Sequence, residues 1–374
     1  MLLHEPGKTL GGVCGVAFGV CLCLIQVGLY HGALISMSIA IDASAADLWV
    51  VSRGSPNFDC MTPLPERQAY RVQSFPGVER VEPVVIMFVW WRLANGGVQS
   101  VEVIGLSADG EMLRPWNVCA GEAEAIFRDR NVIIDESDLR KLHCSGMDYQ
   151  TEIYAVPSMG MQARVVGLTR KNRTFISTPL VLTSIQNARA FGHLGANDSN
   201  ALLVRTAPGA DPRRVKQALN EALPEMEAFT TKEFASLTQN YWNTNTGVGV
   251  VLFAFAVLGA IIAVGTVSMI QYISAMDHLK EYAILKALGT PNHRVIGLVA
   301  AQSVIIGVLG YGLGLGLTQL ASQLLDRISI PIQVQSRGDI LIWSFCATLL
   351  FCVLASVIPA VKIIRTDPEV VFRT

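Results

Sequence analysis

The chain has 374 residues, of which 51% are hydrophobic and only 16% charged, with 29 Lys+Arg against 30 Asp+Glu. A typical soluble domain carries about 25% charge, so a mean hydropathy of +0.41 argues against a purely cytosolic globular protein. A net charge of -1 gives no electrostatic reason for a nucleic-acid partner, and the same composition excludes intrinsic disorder.

The charges are unevenly spread. Lys8 and Asp42 enclose 33 residues without Asp, Glu, Lys or Arg, Glu233 and Asp277 enclose 43, Arg294 and Asp326 enclose 31, and Asp339 and Lys362 enclose 22. A bilayer core of about 30 Å needs about 20 apolar residues as helix. The gaps predict transmembrane helices near 11–40, 247–275, 296–325 and 340–361. Ala43-Ser44-Ala45 mimics a signal-peptidase site, but the apolar run before it is over twice the length of a signal h-region of about 7–15 residues. A retained anchor is the better reading.

Residues 42–246 hold 20 of the 29 basic and 23 of the 30 acidic residues and read as a soluble domain. The expected fold is an α+β membrane protein: four transmembrane helices in a 1+3 arrangement, with a large extracytoplasmic α/β domain inserted between helices 1 and 2. Orientation follows from basic residues in short loops. Lys8, Lys280, Lys286, Arg294, Lys362, Arg365 and Arg373 lie on one side and only Arg327 and Arg337, in the 326–339 loop, on the other. Both termini and the 276–295 segment, with the 362–374 tail, are thus expected in the cytoplasm and the large domain outside. Tyr241 and Trp242 fall where the second span would enter the outer interface.

Within the domain, strands are predicted at 47–52, 78–93, 98–105, 201–206 and 226–229, and helices at 65–75 and 211–223. Asn95-Gly96-Gly97 supplies a hairpin turn that tolerates positive φ. Asp211 caps its helix, with Pro212 at the first position. Two β-α-β units, 42–105 and 200–230, flank a β-rich lobe inserted at 106–199. Residues 231–276 read as one long helix leaving the domain and entering the second span.

Some motifs fail. Gly7-Lys8-Thr9 imitates the end of a phosphate-binding loop, but position 2 is Leu where the first glycine belongs and no strand precedes it. The six histidines show no ligand spacing. No catalytic constellation and no metal site emerge. Cys60, Cys119 and Cys144 fall in the outer domain, an odd number. Cys119 and Cys144 share the inserted lobe and form the candidate disulfide, since two thiols in an oxidising compartment tend to pair, and three free thiols are the alternative. Gly11, Gly15 and Gly19 in the first span, and Gly307, Gly310, Gly312, Gly314 and Gly316 in the third, allow close helix approach. That pattern supports a bundle and says nothing about transport. Within the spans Gln26, His31, Gln302 and Gln319 are the polar residues of interest. No Asp or Glu lies inside a span, which argues against a proton- or sodium-driven carrier.

Between the second and third spans the chain reads Asp277-His-Leu-Lys-Glu281-Tyr-Ala-Ile284-Leu285-Lys286-Ala-Leu288-Gly289-Thr-Pro291. Ile284, Leu285 and Leu288 share a face, Glu281 and Lys286 flank it, and Gly289 ends the helix. This is a short amphipathic helix at the inner membrane face. The bland alternative is a helix lying on lipid.

The segment E-Y-A-I-L-K-A-L-G-T-P, followed by a glycine-rich span, resembles the cytoplasmic loop of ABC transporter permeases of the MacB/FtsX/LolC type. Pro359-Ala360, Arg365, Asp367-Pro368 and Arg373 resemble their closing pattern. The stretches Leu24-Ile-Gln26-Val-Gly-Leu-Tyr30 and Ala46-Asp47 to Ser55 look closer still to the DevC-like branch. Lys280-Glu281 replaces the usual Arg-Glu, and Thr290 stands where Ala or Ser is common.

The resemblance implies a non-catalytic homodimeric permease in the bacterial inner membrane, multi-pass, with its large domain periplasmic. It also implies an ATPase partner that binds ATP and Mg, docked on Glu281, Ile284, Leu285, Lys286, Leu288 and Gly289, and no cofactor in this chain. In the DevC-like branch a membrane fusion protein and an outer-membrane channel complete the system, and the cargo is a glycolipid or other amphiphile. The alternatives are an FtsX-like regulator of an extracytoplasmic enzyme and an ATPase-free membrane sensor.

Overall fold

The computed structural model describes residues 6–65, 67–175, 178–195, 197–277, 284, 290–327, 338–357 and 361. They form two compact units, one from residues 1–32 and 248–374, the other from 33–247.

The second unit is an α/β domain. Its strands are β1 (Leu48–Ser52), β2 (Val78–Arg92), β3 (Val98–Leu106), β4 (Val118–Gly121), β5 (Asn131–Asp135), β6 (Gln150–Tyr154), β7 (Met161–Thr169), β8 (Leu180–Ser184), β9 (Ala201–Thr206) and β10 (Met226–Thr230). Its helices are the end of α1 (Pro6–Asp42), then α2 (Arg67–Gln73), α3 (Ile185–Gly192), α4 (Pro212–Ala222) and α5 (Thr231–Asn245). The sheet runs β10-β1-β9-β2-β3-β8-β5-β7-β4, and β6 pairs with both β2 and β7. That last pairing closes a ring through β2, β3, β8, β5, β7 and β6.

The ring follows from alternation along each strand. Val89, Trp91, Val101, Val103, Val132, Ile134, Val165 and Val181 point inward, where Ala188 and Phe191 of α3 join them. Ile86, Ile104, Leu106, Ile133, Leu180 and Leu182 point to the other face. There they meet Ala40 and Ile41 of α1, Phe58, and Phe234 and Ala235 of α5. A third core packs α2 and α4 on β1, β9 and β10 through Val72, Val215 and Leu219.

The inserted-lobe boundary differs from the expected 106–199. β2 is 15 residues long and serves both parts: its first half pairs with β9, its second with β3 and β6. β3, assigned from sequence to the flanking unit, belongs to the ring. A single long strand carries no mark in its sequence of where one sheet partner replaces another.

The expected continuous helix over 231–276 is also corrected. α5 ends at Asn245 and α6 (Val248–Asp277) begins after Gly247, whose φ of +69° breaks the helix. Only glycine adopts that conformation cheaply. The start of α5 is set by a capping box, Thr230 to the Glu233 N–H and the Glu233 carboxylate to the Thr230 N–H.

In the first unit, α6, α7 (Asn292–Arg327) and α8 (Gly338–Ala355) join the first part of α1. Three helical segments, Leu10–Asp42, Gly249–Ile270 and Asn292–Leu324, are long and apolar enough to cross a membrane, and Leu341–Ala355 is a shorter apolar helix. Val16, Val20 and Leu24 of α1 pack with Ile306 and Tyr311 of α7 and Cys352 of α8.

Candidate functional site

The residues best placed to carry function in the α/β domain are those that fix α5 and the end of α1 to the sheet. Gln239 Nε2 on α5 donates to the Leu34 carbonyl at 3.2 Å and to Ser38 Oγ at 2.9 Å. Ser38 Oγ donates on to Asp42 at 2.6 Å. Thr231 Oγ1 donates to the Ala46 carbonyl, and Thr238 Oγ1 accepts the Phe58 N–H at 3.2 Å. Beneath them Trp49 stacks on Phe234 at 5.4 Å between ring centroids and meets Phe58 edge-on at 5.8 Å. Both Trp49 and Phe234 are fully buried. Directional bonds on a stiff aromatic base make this joint resist both sliding and tilting.

Trp242 lies in the last turn of α5, which ends at Asn245. Its indole Nε1 donates to Asp59 Oδ2 at 2.7 Å, and its ring lies 5.7 Å from Phe175. Trp242 is half-buried, and its indole N–H is satisfied by that carboxylate. Asp59 also accepts from Asn57 Nδ2 at 3.4 Å and lies within hydrogen-bonding reach of Glu102 on β3. Burial, the largest cause, pushes the Asp59 carboxyl up to about 6, against the lowering effect of its bond from Trp242. Burial also pushes Glu102 well above the usual carboxylate range, and the charge of Asp59 adds to the effect.

Of the residues expected to dock an ATPase, Glu281, Leu285, Lys286, Leu288 and Gly289 lie outside the described residues. Ile284 is helical and 46% exposed. Asp277, read as the cap of that short helix, is the last residue of α6.

The glycines divide. A Cβ on Gly310 would meet Val16 at 2.5 Å, and one on Gly314 would meet Val20 at 2.8 Å and the Ala17 carbonyl at 2.9 Å. Gly15 abuts Ile270, and Gly307 abuts Cys352. Gly19 lines an apolar cavity of about 170 Å³ with Val20, Val264 and Phe351. Gly11, Gly312 and Gly316 have nothing within 4 Å of such a Cβ. Two steps along a helix turn the chain by about 200°, so 312 and 316 face away from the seam made by 310 and 314. Among the polar residues, Gln26 Oε1 is buried without a hydrogen-bond partner.

The candidate disulfide is corrected. Cys119 and Cys144 are both free. Cys119 is exposed on β4 and bonds to the Leu168 carbonyl at 3.4 Å. Cys144 is buried in the core of the ring, with its thiol donating to the Gly146 carbonyl at 3.4 Å. Sharing a lobe does not bring two thiols face to face.

Long apolar helices packed through a glycine seam and a large α/β domain built on a strand ring define a protein with membrane-spanning character and a separate α/β unit. Residues 9–222 match the MacB-like periplasmic core domain family, and residues 253–368 match the FtsX-like permease C-terminal family. The chain belongs to the MacB/FtsX family of ABC transporter permeases. It is 22% identical, over 96% of its length and 93% of the relative's, to an uncharacterized ABC transporter permease of Mycobacterium tuberculosis. It is 21% identical to the macrolide export ATP-binding/permease protein MacB of Vibrio parahaemolyticus, over 80% of this chain and 47% of that one. The chain thus spans about half the length of that relative. The crystal structure of the periplasmic region of MacB from Actinobacillus actinomycetemcomitans aligns with 56% of this chain and 98% of its own, at 10% identity and a TM-score of 0.36.

Proposed function

We propose that the chain is the permease subunit of an ATP-driven exporter and that it works by transmitting motion rather than by passing cargo between its spans. In this reading four spans in a 1+3 arrangement hold the α/β domain in the periplasm of a bacterial inner membrane. Two copies pair, and two copies of a separate ATPase, which bind the ATP and Mg, dock on the 277–289 segment. A membrane fusion protein and an outer-membrane channel receive a glycolipid or other amphiphile.

The observation that carries the reading is the joint at α5. This helix is hydrogen-bonded to the end of α1 and stacked on the sheet through Phe234, and the chain passes from it into α6 after two residues. A push on α6 along the chain therefore reaches the sheet through a stiff element.

ATPase docking is expected to rest on Ile284, Leu285 and Leu288, at about 25 cal/mol per Å² of apolar surface removed from water. Glu281 and Lys286 fix register at the rim more than they add affinity. Leu285→Asp puts an unpaired charge into the contact, which is costly. Co-expression with the cognate ATPase and affinity purification should show the ATPase lost from the variant, with the permease still folded in the membrane. Normal co-purification and normal ATPase stimulation by Leu285→Asp and Leu288→Asp would remove the docking role.

A further inference from the structure

Two buried glutamates in the α/β domain are treated in opposite ways. Glu82, with a side chain only 5% exposed, accepts the backbone N–H groups of Glu111 and Met112 at 2.7 and 3.0 Å and the Arg80 guanidinium at 2.9 Å. Every demand of a buried carboxylate is met there. Glu102 is fully buried, and neither of its carboxyl oxygens receives a hydrogen bond from a donor group among the described residues. The polar group within its reach is another carboxyl, that of Asp59.

The surroundings hold no countercharge. Glu102 projects from β3 on the face that carries Ile104 and Leu106, with Phe88 and Leu180 as its strand neighbours. Asp59 lines a small cavity of about 10 Å³ whose other walls are Ser36 to Ile41 of α1, Phe58, Thr174, Phe175 and Trp242. It also lines a groove of about 290 Å³ with Met61, Ile86, Met87, Phe88 and Leu194. Neither set contains a second ionisable residue. The titratable groups that act on the pair are its own two carboxyls; the neighbouring Cys60 thiol is itself raised, by burial first and then by the charge of Asp59. The parts of α1 and α5 that line the small cavity, Ser36 to Ile41 and Trp242, include no Lys, Arg or His.

We propose that Asp59 and Glu102 form a one-proton site, a shared proton between the two carboxyls that locks the 53–63 segment, and through Trp242 the helix α5, onto the face of β3. Two ionised carboxylates at hydrogen-bonding range cannot both stay charged without a cation. One proton turns the contact from repulsion between two acceptors into a short O–H···O bond, with Asp59 still free to accept the indole N–H. Glu102 is the member that keeps the proton, because it is sealed from water. Asp59 borders the groove, whose wall at Phe88 is 40% exposed, so release runs through Asp59 into the groove water. A divalent metal is a poorer occupant, since among the described residues no three His, Cys, Asp or Glu side chains converge and such ions want six or more oxygens. The site stands whether or not the chain exports anything.

Its signature is the sign of the pH dependence. Both groups are raised above their unfolded values, so the native state holds more protons than the unfolded one. The stabilisation is complete below about pH 4 and is lost as pH climbs through about 6 and beyond.

The test uses the full chain in nanodiscs. Its unfolding temperature is measured from about pH 5 to about pH 8, beside an infrared spectrum in the protonated-carboxyl region near neutral pH. The wild type should lose stability as pH rises and show a protonated-carboxyl band. Glu102→Gln, whose amide donates permanently to Asp59, should remove most of the pH-dependent loss and the band. Asp59→Asn should remove only the part of the loss that falls near pH 6 and leave both the band and the loss at higher pH, since Glu102 stays neutral while ionising in the unfolded chain. Identical pH profiles for the wild type and both variants, or absence of the band in the wild type, would overturn the proposal. So would a rise in the unfolding temperature on adding calcium or magnesium at fixed pH that Glu102→Gln abolishes, which would assign the site to a metal.

Discussion

The α/β domain and the helical bundle bury their residues very differently. In the domain, whole strands disappear from solvent: Leu48, Trp49, Val50 and Val51 are each at most 1% exposed. In the bundle the apolar stretch of α7 has 39% of its residues inside, and that of α6 only 8%. Phe253, Ile261 and Met269 of α6 are all more than 60% exposed. Water drives the first pattern. The second suits lipid, whose tails are as apolar as leucine, so that helices gain from close contact and shared bonds rather than from hiding surface. The domain should therefore be sensitive to lost volume and the bundle to added volume.

The sharpest test of the first half is Trp49→Ala. Trp49 stacks on Phe234 and meets Phe58, and its indole N–H reaches Ser44 Oγ at 3.2 Å. Removing it empties the joint between sheet and α5, at a cost of about 3–5 kcal/mol. Chemical denaturation followed by the remaining tryptophans should show the loss as a lower midpoint. A change below about 1 kcal/mol would mean that the domain tolerates cavities as the bundle does.

The second half turns on two glycines a half-turn apart. Gly310→Val drives a side chain into Val16 and should cost about 1–3 kcal/mol by overpacking. Gly312→Val, on the open side of α7, should cost well under that and serves as its control. Equal effects of the two on thermal unfolding in detergent would show that the seam is not what holds α7 to α1.

What was legible in the sequence follows the same divide. Long charge-free gaps marked the apolar helices: three of the four expected spans are helices long and apolar enough to cross a membrane, and the fourth contains the shorter apolar helix Leu341–Ala355. Strands β1, β9 and β10 and helix α4 were readable from apolar runs and from Asp211-Pro212 as a start signal. The closure of the strand ring was not. It depends on β6 reaching β2 through Trp90 with Tyr154 and Trp91 with Ile153, two pairs far apart in sequence that leave no local pattern. Gly247 was visible, but a lone glycine beside a long apolar run does not announce positive φ. Asp59 and Glu102 were missed because neither belongs to a motif. The available signal was a glutamate in the middle of Val-Glu-Val-Ile, an acid where a strand buried on both faces should be apolar. Its partner, 43 positions earlier, could not be found without the fold. The coupling residues are legible only in sequence, since all but Ile284 lie outside the described residues.

The smallest effect separates two kinds of carboxylate within the domain. Glu233 accepts Lys216 Nζ at 2.8 and 3.0 Å and the Thr230 N–H at 2.8 Å. Burial works to raise its carboxyl, but the bonds from Lys216 and Thr230 outweigh it and hold the group below the ordinary value. A lowered carboxylate stabilises the fold above its unfolded pKa and loses that contribution as pH falls through the folded value. Its slope is therefore opposite in sign to that of Asp59 and Glu102. The pair is largely exposed, so Lys216→Met should cost about 0.2–1 kcal/mol at neutral pH. The cost should shrink at high salt, because an exposed pair is screened over a Debye length of about 10 Å at 0.1 M. It should also fade in acid, as pH falls below the ordinary carboxylate range and through the lowered folded value of Glu233. Unfolding temperatures of the full chain, with and without added salt, check both statements. A Lys216→Met cost that persists in acid would mean that the lysine contributes through its methylene stem and not through its charge.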